Sequence, residues 1–450
     1  MGKKVIAVFD IGKTNKKVIL FDQQFQIVSQ VEQKFPVIHD DDGFECDDID
    51  LITSWITGSL KKITSEGQYE LVAVNFCTYG ASLMFLNERG ERLTPLYNYL
   101  KEINPSIAEN LFDSYGGKSE FCRRTATPAL GALLNSGIQI LWLRQEKPEV
   151  YQQVKSILHF PQYLSWTLTQ ELVSEPTSVG CHSFLWDFDQ MQYHQWIADH
   201  QVSLPEPVTN DKVFPVKGFG GDFVAGTGIH DSSASLVPYL KGSKEKFILV
   251  STGTWCINMN PFNKEPLTAE QLEQDSLCFL SPDKVQVKSS RLFMGYFHEV
   301  WAKKLAEHFQ VADNYFTTVR KDDRLIESLM LGKNPGAAFF PNGKESFEEG
   351  LQTVDLSVYE SYEEAYTQLM IELTRLCVQS IRLVIPRDDQ TEVFYVTGGF
   401  SRNEIFISLL QNSFPSRKLR VSEIDNASAL GAALVLLPVI PDFIFSGLEK

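Results

Sequence analysis

Apolar residues fill a short run at 5–9, give way to the polar stretch Asp10, Ile11, Gly12, Lys13, Thr14, Asn15, and return at 18–21, which predicts two β-strands joined as a hairpin. Leu51, Ile52, Trp55, Ile56, Leu60 and Ile63 then recur at three- and four-residue spacing behind Asp47 and Asp48. That spacing predicts a helix capped by the two carboxylates, and a strand at 71–76 follows it. A second hairpin is expected from an apolar run at 247–250, a turn over 251–254 and a strand at 255–259, so the opening unit recurs at mid-chain and implies a duplicated architecture. An amphipathic helix is predicted over 359–385, and the strand at 393–396 ends in Thr397, Gly398 and Gly399. Ser401 and Glu404 have the spacing of a capping box for the next helix. The Pro- and Gly-rich stretch 205–228 reads as the crossing between the halves. Helices alternating with strands argue an α/β fold.

Length and charge narrow the function classes. A chain of 450 residues is long enough for two or three domains, and 43% hydrophobic with 22% charged residues is the make-up of a packed protein. With 41 basic against 57 acidic residues the net charge is −16, and basic runs stop at pairs such as Lys61 and Lys62, so nucleic acid and anionic membranes are poor partners. Asp10 interrupts the first apolar run too early for a secretion signal, and the apolar stretch 427–440 is too short to span a bilayer and contains Pro438. Seven cysteines, at 46, 77, 122, 181, 256, 278 and 377, are scattered without a Cys-x-x-Cys pair, which suits reduced thiols in the cytoplasm. His159, His182 and His194 lack metal-ligand spacing and read as structural.

Three turns carry candidate chemistry. Asp10, Gly12, Lys13, Thr14, Asn15 and Lys17 combine a carboxylate, bare backbone, a hydroxyl and cations, the parts that hold a magnesium–nucleotide, although the same residues also make an ordinary hairpin turn. Ser251 to Thr254 and the Thr397-Gly398-Gly399 junction each follow a strand and offer amides to phosphate or a flat ligand, or plain tight turns. Three such turns after three strands form the order of a split nucleotide clamp. Asp231, in Gly228-Ile-His-Asp-Ser-Ser, is a general-base candidate or a helix cap, and Cys77-Thr-Tyr-Gly-Ala at a strand end is a ligand loop or a simple turn.

Taken together these motifs resemble the FGGY carbohydrate kinases of the sugar kinase/actin/heat-shock-protein ATPase superfamily, and most of all the L-rhamnulose and L-fuculose kinases. Asp10, Gly12 and Lys17 match the family's first phosphate loop, with Lys13 where Thr or Ala is usual. Asp231 falls on the catalytic Asp in a His-Asp-Ser context, Ser251-Thr-Gly-Thr-Trp255 on a rhamnulokinase-like motif, Gly398, Gly399 and Asn403 on an adenosine motif, and 427–433 on the small-residue helix beside the nucleotide. The resemblance implies an α/β fold of two actin-like (ribonuclease H-like) ATPase domains, 1–232 and 233–450, with a cleft between them. It implies ATP and Mg²⁺, with Asp10 on the metal and Gly12, Lys13, Thr14, Asn15, Lys17, Gly253, Thr254, Gly398, Gly399 and Asn403 on the nucleotide. Asp231 would be the base, and Thr78, Tyr79, Gly80, His230, Asp231 and Ser232 would face the sugar. Partners would be a small sugar and ATP, with a homodimer as the candidate assembly.

The sugar motifs depart from the family. Tyr97 to Lys101 lacks the Asp and Arg of the family's sugar segment, and Leu292 stands where rhamnulokinases place a substrate-facing Asn before the Met294-Gly295 pair. An L-ketose is the expected substrate, with D-xylulose, L-ribulose, glycerol or erythritol as alternatives and a non-catalytic, nucleotide-dependent sugar-binding protein as a further one.

Overall fold

Two mixed sheets with one strand plan organise the chain. The structure is a computed structural model and describes residues 2–219, 221–332, 338–340, 354–422 and 424–448. The first sheet contains β1 (Lys3–Ile11), β2 (Lys16–Phe21) and β3 (Ile27–Gln33) as an antiparallel meander; after α1 (Ile49–Ser65), β4 (Tyr69–Thr78) runs parallel to β1. An α-rich segment, 79–212, follows with its own core around Phe121, Trp142, Phe184 and Trp196. The chain then returns through β5 (Val213–Val216), β6 (Phe223–Gly226) and β7 (Ile229–His230), the last two parallel to β4, and α2 (Asp231–Ala234) begins at once. The expected crossing at 205–228 is therefore largely the edge of this sheet. Its Pro and Gly residues serve the turns around an antiparallel pair, in which Val213 faces Gly226.

The second sheet repeats the plan. It holds the hairpin β8 (Phe247–Thr252) and β9 (Cys256–Asn260), then β10 (Ser276–Leu280) and β11 (Gln286–Leu292). Beyond α3 (Met294–Phe309) and α4 (Tyr362–Val384), β12 (Val393–Gly398) lies parallel to β8; α5 (Glu404–Ser413) and β13 (Lys418–Val421) complete the unit. The hairpin β1–β2 with parallel β4 corresponds to β8–β9 with parallel β12, so the duplication expected from the hydrophobic pattern is present in the topology.

The pleat explains why β1 is almost continuously apolar. Val5, Ala7, Phe9 and Ile11 face Ile52, Ile56 and Leu60 of α1, whereas Ile6 and Val8 face Ala429, Ala432 and Ala433 of α6 (Ala427–Leu434). Helix α6 thus leaves the second half and packs on the first sheet, where Asn75 Nδ2 donates to Ala432 O at 2.7 Å. Its small residues permit a close crossing: a Cβ on Gly431 would lie 1.9 Å from Ala234 O, in α2. Gly431→Ala is expected to destabilise the protein by about 1–3 kcal/mol, read as a lower urea midpoint.

Two caps differ from expectation. Asp48 alone caps α1, accepting from Leu51 N, because Asp47 is held in an ion-pair cluster. Asn403, not Ser401, caps α5, since Ser401 Oγ donates back to Gly398 O at 2.7 Å. All seven cysteines are buried and unbridged. Among the described residues no helix is long and apolar enough to cross a membrane.

Candidate active site

Three parallel strands of the first sheet end side by side. Asp10 pairs with Cys77, Ile11 and His230 both pair with Thr78, and the chain turns from His230 directly into α2 with Asp231 as its first residue. Ligands of open α/β sheets bind outside such carboxyl ends. Asp231 Oδ1 accepts from Ser232 N at 2.6 Å and Ser232 Oγ at 3.2 Å, and lies 3.3 Å from His230 Nε2. The Asp231 side chain keeps 33% of its surface exposed. Burial nevertheless raises its pKa, against the two bonds from Ser232. Burial first, and then the charge of Asp231, push Asp10 up to about 6, with Lys17 opposing. Burial lowers His230 and His182 to about 4, so both imidazoles are neutral at pH 7; their rings meet edge to face at 5.6 Å.

Asp10 carries a testable pH signature. Its folded pKa lies above the unfolded value of 3.8, so the folded chain binds that proton more tightly and loses stability as pH rises through the window between about 4 and about 6. At pH 7.5 without nucleotide, Asp10→Asn is expected to be more stable than the natural chain by up to roughly 3 kcal/mol, with the gap closing near pH 4. Paired Tm measurements across pH check this; a gap independent of pH contradicts it.

Of the residues expected to face sugar at the end of β4, Gly80 alone meets the His230 and His182 rings: a Cβ there would lie 2.6 Å from His230 Nε2. The other two side chains are turned into the fold. Thr78 Oγ1 donates to Tyr79 O, and Tyr79 OH donates to Asp47. Ser232 is exposed beside Asp231.

The β1–β2 loop sorts its cations onto two faces. Lys17, opposite Asp10 in the ladder, shares its face and reaches Asn426 Oδ1 at 3.4 Å. Lys16, one residue earlier and so on the other face, is buried against Asp47 at 2.7 Å. Lys13 was expected among phosphate ligands, but its ammonium lies 2.9 Å from the same Asp47 and over the rings of Tyr79 and Tyr99, at 5.2 and 5.5 Å. A carboxylate and two aromatic faces draw it there. Gly12 N donates to Asn15 O at 3.0 Å, Thr14 is exposed, and Asn15 Oδ1 is buried without a hydrogen-bond partner.

The second sheet brings its two turns together in the matching place. Thr252 at the end of β8 pairs with Gly398 at the end of β12, and Thr252 Oγ1 donates to Thr397 O and accepts from Phe400 N. Gly398 has φ +86° and a Cβ there would lie 1.7 Å from Thr252 O, so glycine is required; Gly399 beside it faces open space. Gly253 and Thr254 are exposed, and Gly295 N donates to Thr254 O. The Asn403 amide, expected to contact adenosine, accepts from Phe406 N as the cap of α5 and donates to Tyr366 OH. The segment 427–433, expected beside nucleotide, has its small face on the first sheet and α2.

Sequence reasoning missed three neighbours of the site. His182 reads as structural from its lack of metal-ligand spacing, and it meets His230 only in the fold. Tyr99 lies in the segment that lacks the family's sugar ligands, and its pKa is raised by burial and then by the charge of Asp231. Arg291, on β11, pairs with Asp275 and stacks over Trp255, and its charge is felt at His182, across from the second sheet. Lys101, at the family's Arg position, is taken by Asp40 and Asp42.

A model of the N-terminal domain of the FGGY family of carbohydrate kinases matches residues 5–205, and a model of the FGGY C-terminal domain matches 244–442. The chain belongs to this family. Solved structures share its fold: a carbohydrate kinase from Novosphingobium aromaticivorans superposes with a TM-score of 0.80 at 20% identity, covering 100% of this chain and 93% of that one. A ligand-bound xylulose kinase from Lactobacillus acidophilus gives 0.74 at 19% identity over 96% and 89% of the two chains. A gluconate kinase from the same organism gives 0.73 at 18% over 97% and 89%. This FGGY kinase is accordingly a phosphotransferase acting on a carbohydrate alcohol, with ATP as the family's donor.

Proposed function

We propose that this kinase transfers the γ-phosphoryl group of ATP to a hydroxyl of a ketose, with L-ketoses such as L-rhamnulose and L-fuculose preferred. The observation that carries the reading is Asp231: a carboxylate of raised pKa, fixed by Ser232 beside neutral His230, at the end of parallel strands and near Asp10. Asp231 accepts the proton of the attacking hydroxyl, and a pKa lifted toward the working pH suits that task. Gly80, His182, His230, Ser232 and Tyr99 surround the place the hydroxyl must reach. The sequence context His230-Asp231-Ser232 with Ser251-Thr-Gly-Thr-Trp255 supports the L-ketose choice.

The donor site fits its ligand. Gly253, Thr254 and Gly399 present exposed backbone, and Lys17 supplies a cation on the Asp10 face. Asp10 and the orphaned Asn15 Oδ1 are oxygen donors of the kind Mg²⁺ takes, directly or through water. Mg²⁺ would there neutralise phosphate charge. Domains 1–232 and 233–450 would hold sugar and nucleotide respectively, and closure would exclude water.

Substrate choice is tested by kcat/KM for L-rhamnulose, L-fuculose, D-xylulose, gluconate and glycerol. An L-ketose is expected to lead. A lead for D-xylulose or gluconate overturns the L-ketose assignment and leaves the kinase class intact.

A further inference from the structure

Folding assembles a cluster of soft ligands that the spacing of the sequence conceals. The Cys181 sulfur and one ring nitrogen each from His182 and His230 all lie within 4.8 Å of one another. Two separate elements hold them. Cys181 and His182 follow a short helix, Pro176–Val179, in a loop where His182 takes φ +36°; His230 ends β7, its backbone N donating to Thr177 Oγ1 at 3.0 Å.

The donor set is prepared for a metal. His182 Nδ1 lies 3.2 Å from Leu134 O, a bond that puts the proton on Nδ1 and leaves the Nε2 lone pair free, as the outer partners of metal-bound histidines do. His230 Nδ1 is buried with no hydrogen-bond partner, and the residue is 3% exposed. Cys181 is buried and unbridged. A thiolate with two imidazoles favours a zinc-class ion over Mg²⁺, which prefers oxygen. Tetrahedral zinc, at about 2.0–2.3 Å from its ligands, needs donor atoms about 3.3–3.6 Å apart, so side-chain movements of up to about 1.5 Å close the site.

We propose that Cys181, His182 and His230 form a binding site for a zinc-class divalent ion, with water as its fourth ligand, and that the ion inhibits phosphoryl transfer by occupying the wall of the sugar site beside Asp231. Asp231 lies next to the cluster, its Oδ1 3.3 Å from His230 Nε2, so an ion held there perturbs the carboxylate that takes the hydroxyl proton. Binding forms one metal–sulfur and two metal–nitrogen bonds, keeps one metal–oxygen bond to water, and releases the thiol proton and the displaced waters to solvent, with no change of oxidation state. The ion and the sugar compete, because His230 and Gly80 belong to the wall of the sugar site.

Co²⁺ titration of the whole protein tests the site apart from activity. One equivalent is expected to produce a near-ultraviolet sulfur-to-cobalt charge-transfer band with tetrahedral visible bands, and Zn²⁺ to abolish them. At fixed free Zn²⁺, zinc inhibition should be relieved by raised sugar and not by raised MgATP. Cys181→Ser and Cys181→Ala should lose the charge-transfer band and weaken zinc inhibition by at least about tenfold, with sugar phosphorylation in chelator kept. No band in the natural chain, or band and zinc sensitivity unchanged in both variants, overturns the proposal. Because the cobalt spectrum needs no turnover, its failure is distinct from failure of the substrate assignment.

Discussion

Asp231→Asn is expected to lower kcat by about 10²- to 10⁴-fold while KM for sugar and MgATP stays within a small factor. The amide keeps the size of the side chain and an oxygen that can still accept from Ser232 N and Ser232 Oγ, so α2 retains its start. What is lost is a group that can take a proton from the attacking hydroxyl. A fall in kcat without a matching rise in KM marks an interaction made in the transition state. Steady-state kinetics with calorimetric binding of ADP and sugar reads both; a kcat within about tenfold of the natural chain removes Asp231 from the role of base.

Asp47→Asn is expected to cost about 3–5 kcal/mol of stability, because it leaves a buried ammonium without its counter-charge. The Lys16 side chain is only 3% exposed. Asp47 receives Lys16 Nζ at 2.7 Å, Lys13 Nζ at 2.9 Å and Tyr79 OH at 2.7 Å. Burial alone would raise the Asp47 pKa; the Lys16 hydrogen bond, the Lys13 charge and the Tyr79 hydroxyl reverse that and hold it below the usual carboxylate range. Its stabilisation is therefore present above the unfolded pKa and fades as pH falls through the folded one. The double variant Lys16→Met with Asp47→Leu should recover part of the loss, since an apolar pair of similar volume needs no counter-charge, while Tyr79 OH loses its acceptor and Lys13 turns to solvent. Urea midpoints of the single and double variants decide it. A single variant that loses less than about 1 kcal/mol would mean that Lys16 is hydrated in solution.

The sheets were legible because their strands are either apolar throughout or bounded by turn residues: 5–9 and 247–250 mark central strands, and the repetition of hairpin and parallel strand follows from them. The turns at their ends were legible for the same reason, since Asp10, Gly253 and Gly398 stand where apolar runs stop. Side-chain direction was harder to see. Lys13 looks like a phosphate ligand by position, and only the fold shows that Asp47, Tyr79 and Tyr99 converge on it. His182 reaches the site from a distant segment, so no local pattern flags it. The stretch 205–228 misled because edge strands around Pro and Gly turns have the composition of a linker.

Phosphoryl transfer to a sugar hydroxyl is tested most directly by following ³¹P and product mass while the purified protein turns over MgATP with L-rhamnulose, L-fuculose, L-ribulose, D-xylulose, erythritol, glycerol and gluconate in turn. One phosphosugar is expected to appear in step with ADP, and to be lost in Asp231→Asn. Bound ATP with no phosphosugar from any acceptor, or inorganic phosphate in its place, would contradict it.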